Sequence, residues 1–458
     1  MSFLLVILVV AIVGYAVASR VRMPGARPEE VLLLRLGLVP GIGFGVFSAW
    51  YFVVLALHIP SPIQIAVEIL IAVGAATWAF FHRESSSETS TPDSSRPGPD
   101  SRFLIAAVIA IAGVSAAYWI LFTRQPLGWW DAWWIWNAHA RVIHQAGVDW
   151  PAVMRGSTHP DYPALLPLTV ARFWSSLHAE PAWVPALVGF AFLLGTLALL
   201  YAALGILAGA NSGCVAVVLL AMRMAVPWVA SSQYADWPLA YFFTASFALI
   251  LLGRPTLVLA GLMAGLAAWT KNEGLLFVLV LSIAMAVFNR RALFALAPAA
   301  APAVAICLWY KRIVHVPNDL FHGNADFLSA GLGDPRPLLV RVTDLHRLHL
   351  IISSFGHQLV QFAAILLLVV VFAAQPSPGR RWLFFRLQVR WVKALRICAA
   401  TLLAMIAGYT AMYVISPWNL QLQLETSADR LFVQLWPGTV LCVIAAMMSS
   451  RSPSPASA

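Results

Sequence analysis

The chain has 458 residues, of which 61% are hydrophobic and 10% charged, and its formal net charge is +10. Globular proteins contain about 25% charged residues, so a soluble protein of this composition lacks the charges to cover its surface. The basic balance does not indicate nucleic-acid binding, because the arginines cluster between apolar runs, where the positive-inside rule expects them. We therefore predict an all-α polytopic membrane protein.

Apolar runs long enough to cross a bilayer, about twenty residues each, recur along the chain. We predict about 13 transmembrane helices, in a range of roughly 11–14, at residues 2–19, 32–57, 62–81, 103–123, 182–207, 214–231, 236–252, 256–270, 274–289, 292–311, 349–374, 397–416 and 431–449. The stretch 256–289 fits either two short helices or a hairpin that turns within the membrane. The first run precedes its arginines, Arg20 and Arg22, the reverse of a cleaved signal peptide, so we predict a retained span with its N-terminus outside.

Charge predicts the face on which each loop lies. With the N-terminus outside, the basic residues between runs fall inside: Arg20, Arg22, Arg27, Arg83, Arg96, Arg102, Arg254, Arg290, Arg291, Arg380, Arg381, Arg386, Arg390, Lys393, Arg396 and Arg451. The acids fall outside: Asp131, Asp149, Asp161, Asp236, Glu273, Asp319, Asp326, Asp334, Asp344, Glu425 and Asp429. Because acids have little influence on topology, their segregation supports this orientation independently.

Composition also divides the chain into segments. Residues 83–102 are rich in serine and proline and are predicted to form a disordered cytoplasmic linker. This linker separates a group of three spans, residues 1–82, from a larger core, residues 103–450, and residues 451–458 form a cytoplasmic tail. The cysteines lack the spacing of a zinc site and are predicted to be buried structural thiols: Cys214, Cys307, Cys398 and Cys442.

Two long outer loops are predicted, residues 124–181 and 312–348, and the first carries a tryptophan cluster. These tryptophans favour a helix lying at the membrane interface: Trp129, Trp130, Trp133, Trp134 and Trp136. An aromatic belt alone would explain them, but Asp131 lies inside the cluster. A carboxylate held among indoles at the lipid boundary is partly desolvated and more basic, and indole faces also stack on sugar rings.

Further polar groups lie near the same face, and each has a structural alternative. His159 and Asp161 belong to a turn fixed by two prolines, and they either complete that turn or point toward a site. Asp236 fits a helix N-cap with Pro238 in the first turn, or a site residue.

The remaining candidates are charges beside apolar runs. Lys271 and Glu273 lie between two runs, where charges are candidate functional residues or simply end two helices. Arg430 precedes the last run and either binds an anion or lies among headgroups. Arg223, inside a short span, is a weaker phosphate candidate.

In order and spacing these elements resemble those of the membrane-embedded GT-C glycosyltransferases, specifically the bacterial relatives of protein O-mannosyltransferases and of the aminoarabinose transferase that modifies lipid A. A first core span leads to the early acid Asp131 and then to a His-Pro turn at His159. The later elements are Asp236-Trp237-Pro238-Leu239 and Gly265-Leu266 with Thr270-Lys271 and Gly274. The likeness covers roughly residues 103–300, and residues 418–430 more loosely.

The resemblance implies a GT-C-like core with interfacial loop helices, which moves a sugar with inversion from a polyprenyl-phosphate donor to an envelope lipid, polysaccharide or protein. It also implies a bacterial inner membrane and a periplasmic site. By resemblance, Asp131 is the general base; Asp161, His159 and Asp236 supply a second acid or bind substrate; Lys271, Arg430 and Arg223 bind the phosphate; and Trp130, Trp134, Tyr162 and Glu273 contact sugar or lipid. No cofactor is certain. A divalent metal stays open, because Ala132 stands where many relatives have a second acid.

Two other functions are compatible with the same sequence. A transporter or flippase of an amphiphilic anion would carry inverted repeats and broken helices, and no repeat is evident. A non-catalytic protein of envelope assembly would tolerate loss of Asp131, whereas the enzyme would not. The sugar and the acceptor do not follow from the sequence.

Overall fold

The computed structural model describes residues 3–81, 96–315, 333–373 and 389–448. Across these ranges the chain forms helices and connecting loops, with no strand. In chain order the helices are α1 (Phe3–Ala18), α2 (Pro28–Ala56), α3 (Ser61–Phe81), α4 (Ser101–Arg124), α5 (Asn137–Ala146), α6 (Trp150–Met154), α7 (Leu165–Leu177), α8 (Trp183–Ala208), α9 (Ala210–Met222), α10 (Ala225–Ser231), α11 (Asp236–Leu252), α12 (Leu257–Thr270), α13 (Asn272–Val314), α14 (Leu338–Thr343), α15 (Leu345–Ala373), α16 (Val389–Ile415) and α17 (Leu420–Met448).

The long apolar helices are those of a multi-pass membrane protein. Within the described ranges, 7 helices have the length and hydropathy to cross a membrane, namely α2, α3, α4, α8, α13, α16 and α17. Helices α9 and α10 together form an eighth candidate, bent by 75°. Helices α1 and α11 are shorter, at 16 and 17 residues.

Several predicted boundaries differ from the structure, among them those of α13 and α17. The runs 274–289 and 292–311 both lie in α13, whose 43 residues include a non-helical break at Asn289. The last helix begins at Leu420 and not near residue 431, so the polar segment that ends at Arg430 forms its first turns. At the end of this segment Asp429 and Arg430 pair with side chains of other segments, Arg223 and Asp131.

Some predicted segments fall outside the described residues. These are the first part of the linker with Arg83, the loop acids Asp319 and Asp326, the basic residues Arg380, Arg381 and Arg386, and the tail with Arg451. The described end of the linker, residues 96–102, lies against the bundle. There Arg96 donates to the carbonyls of Gly25 and Ile206.

Helix α11 is the centre of the bundle. Its residues are buried from Asp236 to Leu251, and it packs against α8, α12 and α17. A helix that is apolar on all sides lies in a protein core or in a membrane, and α11 is enclosed by other helices. Enclosure of its first residue, Asp236, places a carboxylate inside the protein at one end of the bundle.

Helices α12 and α13 form a tight hairpin. Lys271 alone separates them, with extended backbone at φ −159° and ψ 158°. A Cβ on Gly265 would lie 2.5 Å from the Ala300 carbonyl oxygen, and one on Gly274 would lie 1.8 Å from that of Ala267. Small residues permit this close approach of membrane helices. These glycines therefore hold Lys271 at a fixed point.

Candidate functional site

The loop that carries Asp131 is fixed by the residues just before α11. The Trp129 amide donates to the Ser232 carbonyl at 3.2 Å, and Asn137 donates to the Gln233 side chain at 2.7 Å. The Asp131 amide donates to the Tyr234 hydroxyl at 3.3 Å. After Asp131 the chain forms a π-helical turn, Ala132–Trp136, a geometry that is frequent at functional sites.

Five charged side chains of alternating sign form one connected set, which we call the charged cluster: Asp131, Arg430, Asp236, Lys271 and Glu273. Arg430 pairs with Asp131 and lies 3.7 Å from the Asp236 Oδ2 atom. Lys271 lies 3.0 Å from Asp236 Oδ1 and 2.8 Å from Glu273. The set therefore connects the Asp131 loop to the α12–α13 hairpin.

Hydrogen bonds from uncharged side chains complete the cluster. Gln434 donates to Asp236 at 2.6 Å and accepts from the Tyr409 hydroxyl at 2.6 Å. The Arg430 guanidinium also stacks over the Tyr234 ring, at 4.8 Å. Burial, together with the Asp131 carboxylate, raises the pKa of Tyr234 to about 12, so this phenol stays protonated. Asp236 is not the predicted N-cap, because its carboxylate serves these partners and makes no capping bond.

A second polar group lies beside the first. Asn272 donates to Asp161 Oδ2 at 2.9 Å. The Lys311 ammonium donates to Asn272 at 2.8 Å and lies 3.5 Å from the Asp161 carboxylate. Asp161 is thus held by the first and last parts of α13, and Lys311 is a cation of the site that the sequence did not single out.

A cavity of about 380 Å³, which we call the site cavity, lies between these groups. Its lining joins Glu273 of the charged cluster to the His159 turn and to Trp418, and also includes Asp161, Tyr162, Asn272, Tyr409 and Gln423. Sites for small organic ligands have volumes of about 300–1,000 Å³. The cavity is therefore large enough for a sugar ring, with carboxylates at its edge.

Aromatic rings form one wall of the site. The His159 ring stacks on Tyr162 at 4.8 Å, and Tyr162 stacks on Trp136 at 5.6 Å. By contrast, Trp130 and Trp134 are 68% and 52% exposed and do not line the site cavity. The structure thus divides the tryptophan cluster into an exposed face, suited to the membrane interface, and a buried residue that supports Tyr162.

Arg223 lies elsewhere and is held by a different partner. It pairs with Asp429 at 2.8 Å and lies over the Trp436 ring at 5.5 Å. As for a metal, no group of three or more His, Cys, Asp or Glu side chains within the described ranges is placed to hold an ion. In the charged cluster the acids Asp131, Asp236 and Glu273 alternate with cations and do not share one point.

No family model, curated protein or solved structure matches this chain. The GT-C resemblance and the roles it implies remain predictions.

Two site residues that the sequence analysis did not single out, Gln434 and Lys311, can be recognised from their positions in the sequence. Gln434 lies four residues after Arg430, on the same helix face and inside an apolar run. Lys311 ends a predicted span and is one of only three lysines in the chain. Tyr234 and Tyr409 carried no such signal, because tyrosine is common at membrane boundaries.

His139 makes the stability of the Asp131 loop depend on pH. The ring is fully buried, and its Nε2 bonds the Thr158 carbonyl at 2.8 Å. Burial lowers the pKa of His139 to about 4 from its ordinary value of 6.5. Between these values the unfolded chain binds a proton that the folded chain does not, so stability falls as pH falls from 6.5 to 4.

We expect His139 to account for a loss of up to about 3 kcal/mol over that pH range. In His139→Gln the apparent melting temperature, followed by tryptophan fluorescence, should fall less between pH 7 and pH 4.5 than in wild type. His144→Gln, at a half-buried histidine of the same helix, serves as the control. An unchanged pH dependence in His139→Gln would contradict the assignment.

Proposed function

We propose that the protein is an inverting glycosyltransferase of the GT-C type, which moves a sugar from a polyprenyl phosphate to an envelope lipid, polysaccharide or protein. The observation that carries this proposal is the charged cluster beside the site cavity. It offers a partly exposed carboxylate, Asp131, next to cations that suit an anionic leaving group.

The proposed reaction assigns the proton to Asp131. The acceptor hydroxyl gives its proton to this carboxylate as the hydroxyl oxygen attacks the anomeric carbon from the face opposite the phosphate. A bond forms between that oxygen and the anomeric carbon. The bond from the anomeric carbon to the phosphate oxygen breaks, and the phosphate leaves with the electron pair.

Arg430 connects the base to the leaving group in this scheme. Its buried Nε has no hydrogen-bond acceptor among the described residues, while another of its nitrogens binds Asp131. A lipid phosphate that binds Arg430 competes with Asp131 for the guanidinium. The arriving donor thereby frees the carboxylate to accept a proton, and Lys271 supplies further positive charge behind it.

In this proposal the sugar binds in the site cavity. Tyr162 and Trp418 offer aromatic faces, and Asp161 and Glu273 offer acceptors for sugar hydroxyls. We assign Trp130 and Trp134, which are exposed, to the lipid boundary.

The proposal includes an orientation and a count of spans. The site lies on the periplasmic side of a bacterial inner membrane, in agreement with the segregation of acids and arginines. About 13 crossings follow if α13 crosses twice, once on each side of the break at Asn289, if α1, α11, α12 and α15 each cross once, and if α9 and α10 together form one bent span.

Transport of an amphiphilic anion is the second candidate. The 75° bend between α9 and α10 favours it, because discontinuous helices form the substrate sites of many transporters. The carboxylates of the charged cluster are less suited to an anionic cargo than to proton transfer.

The proposal is tested by Asp131→Asn. Detergent-purified wild type and variant receive radiolabelled polyprenyl-phosphate sugars, with a membrane extract as the acceptor. Without its base, the variant should transfer label about 10²–10⁴-fold more slowly than wild type. Asp149→Asn is the matched control, because Asp149 is an exposed acid of the same loop and does not belong to the charged cluster.

Each outcome has a defined meaning. Equal transfer by wild type and Asp131→Asn would retain the enzyme but move the base to Asp161 or Asp236. Absence of transfer by wild type with every donor would contradict the glycosyltransferase and favour transport or envelope assembly.

A further inference from the structure

A second cavity, which we call the basic cavity, lies at the opposite end of the bundle from the charged cluster. Its volume is about 870 Å³. The charged cluster includes the first residue of α11, whereas the turn that follows α11 lines the basic cavity. At 1.5 Å per residue, the 17 residues of α11 place the charged cluster and the basic cavity about 25 Å apart.

Cations from four separate segments line the basic cavity. They are Arg22, which follows α1; Arg96, which precedes α4; Arg254, which follows α11; and Lys393, near the start of α16. No aspartate or glutamate is among the described residues that line it. As far as the described residues form it, the cavity is therefore positively charged without a carboxylate.

Three of these cations have no partner within the part of the chain that the structure describes. Arg96 is engaged, because it donates to two backbone carbonyls and lies 4.0 Å from Glu30. Arg22, Arg254 and Lys393 are exposed, and across the described ranges no hydrogen bond or ion pair engages them. Three cations around one cavity, with which no described residue pairs, favour binding of an anion.

The wall beneath the cations is apolar. Ile206 of α8, Ile250 of α11 and Met285 of α13 contribute to it. A small soluble anion would not need such a wall, and an uncharged lipid would not need the cations. The two features together match an amphiphile with an anionic head and a hydrocarbon chain.

We infer that the basic cavity binds the phosphate headgroup of an anionic membrane lipid, with the first part of its acyl chains against the apolar wall. Basic pockets between membrane helices bind such headgroups through this combination of charge and apolar surface. A lipid bound here lies too far from the charged cluster to be the sugar donor. The inference is therefore independent of the proposed glycosyltransferase activity.

The test measures lipid binding to the full chain. Native mass spectrometry of the detergent-purified protein is used to titrate phosphatidylglycerol, which is anionic, and phosphatidylcholine, which is zwitterionic. Arg22→Gln combined with Arg254→Gln should weaken binding of phosphatidylglycerol about 30-fold, which corresponds to about 1 kcal/mol for each charge removed. Wild type should bind phosphatidylcholine at least about 10-fold more weakly than phosphatidylglycerol.

The matched control removes the same charge at the same end of the bundle. Arg290→Gln with Arg291→Gln changes two exposed arginines that do not line the basic cavity, and affinity should change less than about threefold. Arg22→Lys with Arg254→Lys keeps both charges and should retain binding. This pair tests the inference if the glutamine variant does not fold.

Three results would overturn the inference. The first is equal weakening by the control pair, which would indicate a diffuse surface charge. The second is equal affinity for phosphatidylcholine. The third is displacement of phosphatidylglycerol by inorganic phosphate at equal concentration, which would indicate a site for a free anion.

Discussion

Lys271→Met is expected to lower the free energy of unfolding by about 3–5 kcal/mol, the usual cost of removing one partner from a buried ion pair. The charged cluster contains three carboxylates and two cations. Without Lys271, one cation, Arg430, remains among three carboxylates, and Asp236 is fully buried. Glu273 also loses its ion pair at 2.8 Å.

Asp236→Asn should lower the free energy of unfolding less, by about 1–3 kcal/mol, although it changes the most buried acid of the cluster. Its removal leaves two matched pairs, Asp131 with Arg430 and Lys271 with Glu273. Comparing the loss of unfolding free energy in the two variants therefore tests whether charge balance, and not burial alone, governs the stability of the site.

The measurement is the midpoint of unfolding in mixed detergent micelles, followed by tryptophan fluorescence. Arg290→Met is the control, since it removes an exposed cation and should shift the midpoint little. A larger loss in Asp236→Asn than in Lys271→Met would contradict the charge-balance account.

The second large effect concerns an ion pair that the sequence analysis missed, between Glu68 of α3 and Arg172 of α7. Arg172 binds the carboxylate twice, at 2.7 and 3.0 Å, and Gln64 donates to it at 2.8 Å. Glu68 is 1% exposed and Arg172 is 4% exposed. Because α3 has few other buried residues, this pair is its main polar attachment to the core.

Arg172→Met alone should cost about 3–5 kcal/mol, because it leaves the Glu68 carboxylate buried without its cation. The double variant Glu68→Met with Arg172→Met should recover most of that loss, because replacing a buried pair by apolar residues is often neutral. Unfolding midpoints of the two single variants and the double variant form a double-mutant cycle.

An exposed pair provides the comparison for this cycle. Arg141 and Glu180 lie 2.7 Å apart on the surface, and their coupling should be about 1 kcal/mol or less. If the double variant at positions 68 and 172 were as unstable as Arg172→Met, the residues would act through side-chain packing and not through charge.

The sequence predicted the positions of helices better than the contacts between them. The run predicted at 236–252 coincides with α11, and the run at 62–81 differs from α3 by one residue. These predictions succeed because a membrane helix must be apolar over its own length and must satisfy its backbone hydrogen bonds internally.

Contacts between distant segments did not follow from the sequence. Asp131 and Arg430 are 299 residues apart, and Asp161 and Lys311 are 150 apart. The sequence indicated Arg430 and Lys271 as free cations for a phosphate, whereas the structure surrounds both with carboxylates. Glu68, an acid within an apolar run, indicated that a partner was needed from another segment. The sequence around Glu68 did not identify that partner as Arg172.

The sequence by itself determined that this is a helical membrane protein, because the length and hydropathy of each helix are local properties. Only the tertiary structure decided which cation faces which acid, where the two cavities lie, and that α17 begins with the polar segment ending at Arg430. Those features depend on which helices pack side by side. Apolar helix surfaces are too similar for their sequences to specify that choice one helix at a time.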